Sequence, residues 1–374
     1  MDIEFIDLII VLLKAFIVMN ALLGLASFAT WIERKGSALI QNRIGANRAA
    51  IFGFDLAGII NTLVADPVKA ITKEDFVPKG VSQFMHSLAP FMAVFPVLVS
   101  FAVVPFGPPF TYPDFHIYFP FTHFSLLVPG RHVTLQLANL NVGILFMFAM
   151  GSLAVYGTVL AGWVSNNKFS MFGSLRASAQ MISYEVTLGL SIVGVLALYG
   201  TLDLNKIVEA QSGIILGVLP KWGLFMSPFN IVAFVLFFVS AMAETKRAPF
   251  DLPESESELV AGYFTEYSGM KFLLFWLGEF AEIGVASTMV VLLFFGGWQL
   301  PYVNITAWAL APVIGVCIFG LKILAFCILQ IVIRWTLPRF RYDQLMKLCW
   351  KYMLPIALVN VALTITFYLW TTGA

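Results

Sequence analysis

The stretch "AETKRAPFDLPESESELVAG", residues 243–262, holds five acids, Glu244, Asp251, Glu254, Glu256 and Glu258, with Glu266 close behind. It lies between two strongly apolar runs, 227–244 and 273–296. Each is near the roughly 20 residues that an α-helix needs to cross a hydrocarbon core about 30 Å thick. Pro249 and Pro253 forbid one helix through "RAPFDLP", because proline lacks the amide donor and clashes with the preceding turn. The stretch is thus read as a charged break between two membrane helices. After Pro253 a short helix is expected, whose first turns hold Glu254, Glu256 and Glu258, where acids suit the positive N-terminal dipole.

Similar apolar runs recur along the chain, at about 9–31, 87–106, 139–162, 184–200, 227–244, 273–296, 307–333 and 352–371. With 60% hydrophobic and 11% charged residues, the composition lies far from that of a soluble domain. The short alternating segments of a membrane β-barrel are not seen. The predicted fold is an all-α membrane protein with about eight transmembrane helices, forming a single polytopic membrane domain over 1–374. Asp2, Glu4 and Asp7 stand where a cleaved leader carries positive charge, so the first run is expected to be a permanent helix.

Lys and Arg concentrate in the loops 32–86, 163–183, 245–272 and 334–351, whereas the opposite loops hold only Arg131, Lys206 and Lys221. By the positive-inside rule the first set faces the cytoplasm or its organellar equivalent, and both termini face out. A bacterial cytoplasmic membrane and a mitochondrial inner membrane both fit. The first inner loop contains "FGFDLAGIINTLVADPVKAITKEDFVP", residues 52–78, with apolar residues at helical spacing and Asp66, Lys69 and Lys73 among them. An amphipathic helix lying in the interface is predicted there. The proline- and aromatic-rich loop 107–137 reads as a compact cap without chemistry.

Cys317, Cys327 and Cys349 show no metal-site spacing and read as small buried hydrophobes. His86, His116, His123 and His132 lie singly in loops or at loop edges. No metal, haem or flavin is therefore expected in this chain, and any redox cofactor is expected on a partner.

The informative residues are charges inside the spans. Glu279 and Glu282 share one face of the sixth span at i,i+3. Glu185 opens the fourth span, Glu244 closes the fifth, and Lys322 stands near the middle of the seventh. An intramembrane ionisable group is costly and by default a functional candidate. The set suggests a polar route that takes up and releases protons, because burial raises carboxylate pKa values and a nearby cation lowers them. The static alternative is a structural pair, such as Lys322 with Glu279. Lys14 lies close enough to the outer end to snorkel.

Four stretches carry a family resemblance: "ERKGSALIQNRIGANR" (33–48), "SNNKFSMFGSLRASAQMISYEVTLG" (165–189), "AETKRAPFDLPESESELVAGYFTEYSGMKF" (243–272) and "RWTLPRFRYDQLMKLCWKYMLP" (334–355). They resemble the inner loops of the heel subunit of respiratory complex I, the NADH dehydrogenase subunit 1 family, whose bacterial form is the H-type subunit of NADH:quinone oxidoreductase. The resemblance implies a membrane subunit that forms the quinone chamber, ubiquinone or menaquinone being the substrate, and couples quinone reduction to proton translocation. Its partners would be the hydrophilic-arm subunits on the inner side and the small and antiporter-like membrane subunits in the bilayer. Matched by motif, Arg34, Arg43, Asp66, Lys69 and Arg334 would line or support the chamber. Arg247, Asp251, Glu254, Glu256, Glu258 and Glu266 match the acidic loop that faces it, and Glu185, Glu244 and Glu279 match the buried glutamates of the coupling route. Glu282 and Lys322 join that route on physical grounds alone. Two alternatives use similar chemistry: the equivalent subunit of an ion-translocating hydrogenase, and a free-standing cation/proton antiporter.

Overall fold

Among the described residues, seven helices are long and apolar enough to cross a membrane, and an eighth apolar helix, α7 (Asn230–Glu244), is shorter. The structure, a computed structural model, describes residues 3–49, 58–112, 115–118, 125–128, 131–215, 217, 219–253, 256–303 and 310–372. The long helices are α1 (Ile3–Ile40), α3 (Gln83–Ser100), α4 (Gly143–Val164), α5 (Lys168–Tyr199), α9 (Gly269–Phe294), α10 (Ala311–Thr336) and α12 (Leu354–Thr372). Shorter helices are α2 (Asp66–Thr72), α6 (Leu204–Ala210), α8 (Glu256–Leu259) and α11 (Tyr342–Lys347).

Several stretches read as loop are helix. Residues 168–183 form the first half of α5, since that segment contains no proline and Asn167 caps it by accepting from the Phe169 amide at 3.0 Å. α1 continues past its apolar run to Ile40. Part of the last inner loop is α11, which runs through a π-helical turn, Leu348–Met353, into α12. After Pro253 the expected short helix is the four-residue α8, followed by a 3-10 turn at Gly262–Phe264.

The interfacial helix forms from a π turn, Asn61–Ala65, continuing into α2 with Pro67 in its first turn, where the missing amide costs nothing. Its apolar residues Leu63, Val64, Val68 and Ile71 are exposed, while its other side packs on α1 and α9. An amphipathic strap results, as predicted. Residues 52–57 of that prediction lie outside the described residues.

The cap at 107–137 includes two nested antiparallel pairs, β1 (Phe110–Tyr112) with β4 (Arg131–Val133) and β2 (Phe115–Tyr118) with β3 (Ser125–Val128). Lys14 does not snorkel freely: its ammonium donates to the Thr134 carbonyl at 3.0 Å, tying α1 to the cap. Cys327 and Cys349 are buried, but Cys317 is exposed.

Helix packing relies on small residues, as lipid-facing bundles require, because apolar side chains gain little from leaving apolar lipid. Ala93, Ala154, Ala161 and Ala177 are buried, and α4 crosses α3 so closely that a side chain at Gly157 would overlap the backbone of Ala93. α7 has 15 residues, about 22 Å at the helical rise. Its end therefore stops short of the full hydrocarbon depth, and the charges that follow enter the bundle.

Candidate functional site

The site begins where α7 stops. Lys246 adopts φ of 56°, and with Pro249 and Pro253 it turns the chain back into the bundle instead of out of it. Lys246 and Arg247 are consequently buried. Removing an ion from water costs several kcal/mol, so each must meet an opposite charge. Lys246 Nζ stands 3.6 Å from Glu282 Oε1, and Arg247 stands 3.4 Å from Glu33 and 3.5 Å from Glu279. The Arg247 guanidinium also lies over the Phe280 ring at 4.1 Å, a favourable cation–π position.

Glu33, at the end of the first apolar run, is the hub of this centre. It accepts from Arg247 and, more closely, from Arg334 on α10. Sequence reasoning selects its neighbour Arg34 instead, because nothing in local spacing reveals a partner on a distant helix. Glu279 is almost fully buried and also accepts from the Tyr263 hydroxyl at 2.9 Å. Tyr263 is not among the predicted site residues, since a tyrosine beside apolar residues reads as core.

Asp251 lies on the same side of the bundle, where Arg339 donates to its Oδ2 at 2.8 Å. Burial pushes its carboxyl from 3.8 up to about 6, against the pull of the Arg339 charge and with a further push from the negative Glu279. Arg339 likewise carries no mark in the sequence that would single it out. At the rim, Arg34 meets Asp66 at 2.5 Å and lies over the Trp276 ring at 5.2 Å, joining α1, α2 and α9.

Deeper in the bundle, α3, α4, α5, α7 and α9 enclose a cavity of about 70 Å³ lined by Ser100, Gly151, Met181, Glu244, Thr245 and Glu282, among others. That is room for a few waters beside two carboxylates. Glu244 is within electrostatic range of Glu282, Glu185 and Lys246. Glu185 accepts from the Ser152 hydroxyl on α4. The acids Glu279, Glu282, Glu244 and Glu185 therefore follow one another from the loop into the bundle.

Other predicted residues stand apart from this row. Lys322 donates to the carbonyls of Phe295, Gly297 and Gln299 at 2.7, 2.9 and 2.7 Å, and lies over the Trp222 ring. Those carbonyls close the far end of α9, about 24 Å along the helix from Glu279, so the two are not paired. Glu258 pairs with Arg176 at 2.5 Å on the exposed surface, and Glu266 accepts from Asn167 at 2.7 Å. Arg43 and Lys69 are exposed, the former donating to Gln41 at 2.8 Å. Glu254 lies outside the described residues, and of Glu256 only the backbone is described. His86 is not at a loop edge but fully buried in α3.

The family model for NADH dehydrogenase matches residues 13–365. An H-type subunit of the NADH-quinone oxidoreductase of Geobacter metallireducens is 44% identical over 358 residues, covering 96% of each chain. The H-type subunit of the Thermomicrobium roseum enzyme is 42% identical over 370 residues, covering 98% of each. Its counterpart in Bdellovibrio bacteriovorus is 41% identical over 378 residues, with 94% of each covered. An integral-membrane fold, a matched family model over nearly the whole length and relatives of equal length make this chain a member of the NADH dehydrogenase family.

Proposed function

We propose that this chain is the membrane subunit of a proton-translocating NADH:quinone oxidoreductase, complex I, that holds the quinone in a chamber and passes the consequence of its reduction to the proton pathway. The observation that supports this is the row of charges from Arg247 and Glu33 through Glu279 and Glu282 to Glu244 and Glu185, with Asp251 within electrostatic range of Glu279 beside it. Reducing a quinone to a quinol takes up an electron pair and two protons, so negative charge appears before the protons arrive. A row of carboxylates responds by protonating, and Arg247, shared between Glu33 and Glu279, is placed to shift its pairing as they do. Ubiquinone or menaquinone is the substrate in this reading, and the electrons come from a redox centre on a partner subunit.

In the same reading the loops at 32–86, 163–183, 245–272 and 334–351 form the chamber and dock the hydrophilic arm, with Arg34, Asp66 and the exposed Arg43 and Lys69 at its rim. Small and antiporter-like membrane subunits pack alongside. The basic loops face the cytoplasm or matrix and both termini face the opposite side, in keeping with the positive-inside rule.

Glu244→Gln or Glu279→Gln in the assembled complex is expected to lower quinone-coupled proton pumping severalfold, while electron transfer from NADH to a hydrophilic acceptor stays at the wild-type rate. Pumping would be followed by a pH-sensitive dye in sealed vesicles. Normal pumping in both variants would sink the relay.

A further inference from the structure

A second polar cluster closes the point where the strap after α2 meets the starts of α3 and α9. Lys271, in the first turn of α9, is largely buried, and its ammonium stands 2.9 Å from Asp75 Oδ2. It also donates to His86 Nδ1 at 3.3 Å. An ammonium has only donors, so Nδ1 must accept and the ring proton sits on Nε2. That nitrogen donates to the carbonyl of Glu266 at 3.3 Å, at the root of the acidic loop. The buried His86 ring stacks on Tyr267, with centroids 4.2 Å apart and planes 6° from parallel. The backbone agrees with this junction: Gly269, at φ of 56°, lies against the carbonyls of Ala70, in the last turn of α2, and of Lys73 and Glu74 just past it.

The interfacial strap is thus pinned on both sides by ion pairs, Asp66 with Arg34 of α1 and Asp75 with Lys271 of α9. We infer that Lys271 is a positioning residue which, through Asp75 and His86, holds the interfacial helix against the root of the acidic loop, so that the rim of the quinone entrance and the acids behind it move as one body. The inference rests on the chamber reading above. Asp75 is half exposed whereas Lys271 is not, so losing the carboxylate leaves a buried ammonium short of its counter-charge and frees the strap. His86 alone cannot neutralise it, because a neutral imidazole offers a lone pair and no charge.

The test uses the assembled complex in its own membranes, with Asp75→Asn, Lys271→Met and the charge swap Asp75→Lys with Lys271→Asp. In each single variant the KM for a long-tailed quinone is expected to rise about fivefold while kcat stays within about twofold, the size a partly buried ion pair supports. NADH oxidation by a hydrophilic acceptor is unchanged, and the swap brings KM back to near the wild-type value. Unchanged KM in both single variants overturns the inference. Where a single variant fails to assemble, the swap decides: assembly with KM restored supports the latch, whereas a swap with raised KM, or no assembly, overturns it. Wild-type complex that passes no electrons to quinone in an inhibitor-sensitive way instead defeats the chamber reading itself.

Discussion

Asp251 shows how one side chain carries opposed effects. Its burial penalises the charged form more than the Arg339 ion pair rewards it, so the folded chain holds a proton at a pH where the unfolded chain, with its carboxyl at 3.8, has released one. This contribution to stability is complete below 3.8, falls as pH rises and is gone above about 6. The swing is about 3 kcal/mol, given 1.36 kcal/mol per pKa unit. Asp251→Asn is therefore expected to flatten the fall in Tm between pH about 4 and about 6 for the detergent-solubilised protein, measured by intrinsic fluorescence. An unaltered slope would show that Asp251 titrates as it does in the unfolded chain. The same residue explains why the loop acids are not equivalent: Glu258 pairs at the exposed surface, whereas Asp251 is held inside.

Among the elements, helix ends matter more than helix middles. The short α7 draws Lys246 and Arg247 into the bundle against Glu279 and Glu282, midway along α9, and Lys322 closes the C-terminal end of α9 by donating to three carbonyls. Those carbonyls belong to a helix terminus and its following turn, where orphan acceptors require donors. Lys322→Met removes all three donors and is expected to cost about 2–3 kcal/mol, since each buried acceptor left unpaired is penalised. Faster hydrogen exchange in residues 291–299, together with a lower Tm, would show it. The acid row midway along α9 should keep its exchange rates, and loosening there would mean that Lys322 is coupled to it. Read from spacing alone, Lys322 resembles a proton-route lysine; its surroundings in the fold are those of a cap.

Across the whole molecule, close backbone approach sets how tightly the acid-lined cavity is enclosed. α3 and α4 pack on glycine and alanine, and both contribute walls to that cavity. Gly157→Val would drive a branched side chain into the backbone of Ala93. The expected cost is about 1–3 kcal/mol or more, as for overpacked cores, with a reduced yield of assembled complex. Blue-native electrophoresis and Tm would report it. A variant as stable as wild type would mean that the two helices have room to separate.

Much of the fold was legible because the bilayer imposes a simple rule. Only long apolar helices satisfy their backbone internally in hydrocarbon, so composition and run length mark the spans, and prolines 249 and 253 mark the break between two of them. The same rule makes Glu185, Glu244, Glu279 and Glu282 conspicuous, because a carboxylate in an apolar run needs a reason. By itself, then, the sequence determined the membrane architecture, the interfacial strap and which acids are unusual. Only the tertiary structure decided who meets whom. Glu33 and Arg334 are 301 positions apart, and Tyr263, Arg339, Asp75 and His86 carry no local mark of their partners. Pairing energy depends on distance in space and on burial, and a charge's address along the chain specifies neither.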